Sequence, residues 1–140
     1  METTRIPGTA LTPTRIGLGT WVMGGWMWGG VDDAEAVATI HAALDRGVTL
    51  IDTAPVYGMG HAERLVGCAL AEREQAGGVV LSTKAGLDWE GTQPFRDASP
   101  ARLLREIDDS RERLGVEAVD ILHVHWPDPL VPIEETADAM

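Results

Sequence analysis

The chain has 140 residues, of which 44% are hydrophobic and 24% charged, and it carries a formal net charge of −11 at pH 7. That size holds one ordinary domain with a real core, and a mean hydropathy of −0.03 belongs to a globular chain rather than a disordered one. The negative charge argues against nucleic acid or an anionic membrane as partner, although a locally basic pocket would still accept an anionic ligand.

Residues 1–15, with two prolines and one glycine among Thr and Arg, predict a short hairpin or cap. Arg15 to Trp21 predicts a first strand. The stretch from Val22 to Gly30, rich in Gly, Trp and Met and without helical period, predicts a large loop. Asp32, with Glu35 at the capping-box position, starts a helix whose buried stripe is Ala34, Val37, Ile40 and Ala43 or Leu44, with Gly47 as its stop. Val48–Ile51 then forms a strand ended by Asp52, with Tyr57 in the loop beyond. A second helix is expected from about His61 to Glu74, burying Leu65, Val66, Ala69 and Leu70. Val79–Thr83 forms a strand ended by Lys84. Ser99-Pro100 opens a third helix with Leu103, Leu104, Ile107 and Leu114 inward. Val119–Val124 forms a strand ended by His125, and residues 132–140 begin a fourth helix.

The strands are continuous apolar runs, as in parallel sheets covered by helices, and they recur at βαβ spacing. The expected fold is therefore α/β, the first half of a (β/α)8 TIM barrel, forming one domain over residues 1–140. A whole barrel takes about 250 residues, so the reading is of a truncated chain with bare outer strands. One cysteine, Cys68, allows no internal disulfide. With no signal-peptide pattern and no apolar run of membrane-spanning length, a cytoplasmic protein is expected.

Asp52, Lys84 and His125 stand at the C-terminal ends of successive strands, which share the rim where barrel enzymes keep their chemistry, and Tyr57 lies in a loop on that rim. Singly, Asp52 reads as a cap and Tyr57 as a packing residue. Lys84 is costly at the end of an apolar strand unless a partner such as Asp52 meets it. His123 and His125 share one strand face and so raise a zinc-dependent hydrolase as an alternative, although His41 and His61 fall on helices as solvated residues. Trp21, Trp26, Trp28 and Trp126, with Trp89 a weaker candidate, read as walls of a substrate pocket. The glycine loop matches no nucleotide-binding fingerprint. Cys68 reads as a small buried residue and Asp108, Asp109 and Glu112 as a solvated helix face.

Four segments together carry a resemblance. Arg15-Ile16-Gly17-Leu18-Gly19-Thr20-Trp21, Ile51-Asp52-Thr53-Ala54-Pro55-Val56-Tyr57-Gly58, Leu81-Ser82-Thr83-Lys84 and Val119 to Pro129 resemble, in order, the first half of the aldo-keto reductases. The resemblance implies reduction of aldehydes or ketones with NADPH, or less often NADH. It implies Tyr57 as proton donor and Lys84 as the ammonium that stabilises its phenolate. Asp52 would pair with Lys84, and His125 would orient the carbonyl. Gly19, Thr20, Asp52 and His125 would line the nicotinamide end of the cofactor site. In that family the groups that grip the cofactor lie mostly in the second half, so little or no activity is expected of these 140 residues alone. A non-catalytic half-barrel that joins a copy of itself or a complementary C-terminal half is the further alternative.

Overall fold

The computed structural model describes residues 1–73 and 77–140. Residues 1–15 form the expected hairpin: Thr3 and Thr14 make an antiparallel bridge, and Thr4 N–H donates to Pro13 O at 2.9 Å. Strand β1 is only Leu18–Gly19, shorter than predicted, because the chain turns into a 3₁₀ turn at Trp21–Gly24. That turn lies inside what the composition read as plain loop. Helix α1 (Asp33–Asp45) is capped by Asp32, whose carboxylate accepts the Glu35 N–H at 3.0 Å. It ends where Gly47, at φ 80°, lets Gly47 N–H reach Leu44 O and Val48 N–H reach Ala43 O.

Strand β2 (Leu50–Asp52) leads to α2 (His61–Ala71), and the predicted helix end at Glu74 lies outside the described residues. Strand β3 (Val80–Ala85) is followed by two strands absent from the expectation, β4 (Leu87–Glu90) and β5 (Gln93–Arg96), paired as an antiparallel hairpin. Their mixed polar and aromatic residues give no long apolar run, and register with each other is what defines them. Helix α3 (Pro100–Leu114) starts with the Ser99 hydroxyl accepting the Arg102 N–H, and Gly115 ends it. Strand β6 (Ile121–Val124) and α4 (Ile133–Ala139) complete the chain.

The main sheet is parallel, in the order β1-β2-β3-β6. With a helix following the turn of each strand, this is the first half of a (β/α)8 barrel. Its outward residues Ile51 and Leu81 pack with Ile40, Val66 and Leu114 beneath the helices. The inward set, two residues apart along each strand, includes Asp52, Ser82, Lys84 and His123.

Several side chains depart from the apolar pattern. In α1 it is Ala36, not Ala34, that is buried. In α3 Leu104 is 57% exposed, because the buried stripe runs through Leu103, Glu106, Ser110 and Leu114. Cys68 is exposed: two residues from buried Val66, it lies on the far side of α2. His41 is not merely solvated, since its Nε2 donates to Ala69 O at 2.9 Å and ties α1 to α2. His61 likewise meets Asp33 at 2.8 Å.

Behind the sheet lies a charged core. Glu63 of α2 is fully buried, accepts the Thr83 hydroxyl at 2.7 Å, and pairs with Arg113 of α3 at 2.6 Å. A buried charge without its partner is penalised far more than an exposed one. Arg113→Met should therefore cost about 3–5 kcal/mol in urea unfolding, and Glu63→Met added to it should recover much of the loss. Arg111→Ala, which removes the exposed pair with Asp108, should leave the midpoint nearly unmoved.

Candidate active site

Asp52, the last residue of β2, and Lys84, the fifth of β3, meet across the rim. Lys84 Nζ donates to Asp52 Oδ2 at 2.7 Å and to Thr53 O at 2.8 Å. The Ser82 hydroxyl donates to the other Asp52 oxygen at 3.0 Å, so the carboxylate is held from two sides. Register explains the encounter: Asp52 lies opposite Ser82, which puts Lys84 one pleat further along the same face. The ion pair compensates for placing a cation whose side chain is only 15% exposed.

Tyr57 reaches this pair from the loop after β2. Its ring centre lies 5.0 Å from Lys84 Nζ and 5.7 Å from the His125 ring, edge to face. The loop is fixed by backbone contact with the glycine-rich segment. A Cβ at Gly24 would come within 2.5 Å of the Tyr57 carbonyl carbon, so only glycine permits this approach. Gly58, at φ 65°, faces Gly24 from the other side with the same requirement.

His125 follows β6 and is held by its backbone N–H on Ala85 O at 2.8 Å. Burial pushes its pKa down from 6.5 to about 4, and the neighbouring Lys84 charge adds to this while Asp52 partly offsets it. The ring is neutral near pH 7, so it keeps one N–H to donate and one nitrogen to accept. Tyr57 and His125 both line a cavity of about 380 Å³, whose other walls include Trp21, Trp26, Val56 and Trp126. Leu87 and Pro94 of the hairpin close one side, residues that no apolar period had singled out.

Not every candidate from the sequence stands at the cavity. Trp28 packs edge-on against Trp21 at 5.3 Å and does not line the cavity. Trp89 sits under the Arg102 guanidinium at 5.5 Å. Thr20 is fully buried, with its N–H and hydroxyl both on Asp52 O at 3.0 and 3.1 Å, so it braces Asp52. Gly19 has open space where a Cβ would project. His123 is exposed beside Lys84 in register, and among the described residues no three His, Cys, Asp or Glu side chains gather as a metal-binding group.

Comparison with known proteins identifies the family. The model of the Aldo/keto reductase family matches residues 15–140. An aldo-keto reductase of Bacillus subtilis (strain 168) is 53% identical over 140 residues, covering the whole chain and 42% of that relative. The NADH-specific methylglyoxal reductase of Escherichia coli (strain K12) is 39% identical, covering 91% of this chain and 44% of that protein. The solved structure of glycerol dehydrogenase from Gluconobacter oxydans superposes with a TM-score of 0.89 at 52% identity, over 98% of this chain and 43% of that one. The chain belongs to the aldo/keto reductase family and spans less than half the length of these relatives.

The depressed His125 pKa has a stability consequence. Between about pH 4 and 6.5 the unfolded chain binds a proton at this histidine that the folded chain does not, so stability falls as pH drops through that window and levels off below it. Urea unfolding followed across pH 4–7 should show this slope, and His125→Gln should flatten it. In a proton NMR titration His125 should change state near pH 4.

Proposed function

We propose that this aldo/keto reductase chain supplies the proton-delivery side of an NAD(P)H-dependent carbonyl reductase, with Tyr57 as the general acid. The observation that supports it most is that Tyr57 and His125 line one apolar cavity, with the Asp52–Lys84 pair set against the Tyr57 ring. A nicotinamide cofactor, when bound, supplies the hydride to the carbonyl carbon. The open space at Gly19, the half-exposed Asp52 carboxylate and the His125 ring fit the nicotinamide end and would hold it there, with Thr20 acting through Asp52.

This chain's own residues handle the charge that grows on the carbonyl oxygen. The neutral His125 donates its N–H to that oxygen and fixes its direction towards the Tyr57 hydroxyl. Tyr57 gives up its proton, and the Lys84 ammonium beside the ring stabilises the phenolate left behind. Asp52 aims Lys84, because its carboxylate holds the ammonium at 2.7 Å. The tryptophan walls favour an apolar or aromatic body on the substrate. NADPH is the cofactor we expect, although the E. coli relative is described as NADH-specific. We place the protein in the cytoplasm, where reduced nicotinamide is available. Among the described residues no helix is long and apolar enough to cross a membrane.

For these 140 residues alone we expect little or no turnover, since they correspond to 42% of the B. subtilis relative. The test uses the chain extended by that relative's remaining C-terminal segment, with NADPH oxidation measured against an aromatic aldehyde. Tyr57→Phe should lower kcat by about 10²–10⁴-fold while the unfolding midpoint stays in place. A Tyr57→Phe protein that keeps its rate would remove Tyr57 as the proton donor. Lys84→Met should also lower kcat.

A further inference from the structure

The hairpin β4–β5 walls the cavity with Leu87 and Pro94. Leu87 pairs with Arg96 across the two strands, and cross-strand partners share a face. Arg96 is also two residues beyond Pro94, which again puts it on that face. Its guanidinium carbon lies 5.5 Å from the ring centre of Trp126, itself part of the wall. Arg96 is thus an exposed cation at the rim of an apolar cavity, braced on an aromatic ring.

Three carboxylates around Arg96 are engaged elsewhere: Asp88 opposite Phe95 in the hairpin, Asp97 next in the chain, and Asp128, which holds Ala98. Asp88 meets Arg102 at 3.3 Å, Asp97 accepts the Ser99 N–H at 3.1 Å, and Asp128 accepts the N–H groups of Ala98 and Leu130. Among the described residues Arg96 forms no ion pair. Lys84, the cation beside the Tyr57 ring, is engaged by Asp52 and Thr53. A guanidinium lying over a ring keeps its in-plane N–H donors free, in the fork that matches a carboxylate.

We propose that Arg96 forms an anion subsite of the cavity, and that the cavity selects carbonyl compounds carrying a carboxylate remote from the carbonyl. This rests on the reading of the cavity as the carbonyl pocket. Tyr57, His125, Trp126 and Arg96 follow one another at 5.7, 5.7 and 5.5 Å. The anionic end therefore lies two such steps beyond His125, which calls for a ring or several atoms between the two ends of the substrate. Trp126 offers that middle segment an aromatic face.

The experiment is a tryptophan-fluorescence titration of the full chain with two product-like alcohols, benzyl alcohol and 4-(hydroxymethyl)benzoate, neither of which forms an imine with Lys84. We expect the benzoate to bind about ten-fold more tightly or better at low salt, with the gap narrowing as salt is added. Arg96→Gln should bring the ratio close to one, and Arg96→Lys should keep part of it. Unfolding curves verify that both variants fold, as expected for an exposed side chain. Equal affinities in the unsubstituted chain, or a gap that survives Arg96→Gln, would overturn the subsite and leave the pocket standing. Binding of neither alcohol would overturn the pocket reading and the subsite together.

Discussion

Strand β3 is held by charge on both of its faces, and the candidate site depends on that. On the inner face Lys84 is fixed by Asp52 and the Thr53 carbonyl. On the outer face the neighbouring Thr83 hydroxyl is fixed by the buried Glu63, which Arg113 neutralises from α3. Lys84 and Thr83 are adjacent, so the two networks are coupled through one peptide unit. A lysine chain with four rotatable bonds would otherwise sample many positions. Here its ammonium is confined beside the Tyr57 ring.

A second buried cluster does the same for the hairpin. Glu106 of α3 accepts the Gly86 N–H at 2.8 Å and pairs with Arg102, which in turn donates to Leu87 O and meets Asp88. Burial raises the Glu106 pKa, while the Gly86 N–H and Arg102 oppose the rise. The cluster bridges the end of β3 and the start of β4, so the reactive rim and the cavity wall share one anchor. Glu63, Arg102 and Glu106 are charged residues at positions where a helix normally buries leucine. They link helices to strand ends through directional bonds, which an apolar contact would not do.

Much of the architecture was legible in the chain. The apolar runs ending in Asp52, Lys84 and His125 marked three of the parallel strands, and Asp32, Gly47 and Ser99 marked helix ends through cap chemistry that acts within a few residues. The errors share a cause. The hydrophobic pattern points Ala34, Leu104 and Cys68 inward, yet the packed faces of α1, α2 and α3 are set by what lies opposite them. Where that partner surface is polar, as around Glu63 and Glu106, the buried stripe rotates away from the apolar residues. The hairpin over residues 87–96 leaves no mark in the sequence pattern, because its pairing is cross-strand and its residues lack a period of their own.

The sequence by itself determined the strand ends, and with them which polar residues stand on the rim, because a period of two and a short apolar run are local properties. It also determined family membership, since four motifs in order are more than composition can produce. Only the tertiary structure decided how the groups meet: the 2.7 Å pairing of Asp52 with Lys84, the Tyr57 ring beside that ammonium, the neutral state of His125, and the unpaired Arg96 on Trp126. Those depend on strand register, burial and the distances between residues 27 or more positions apart in the chain, or on a hairpin wall facing a later strand. No window of sequence contains them.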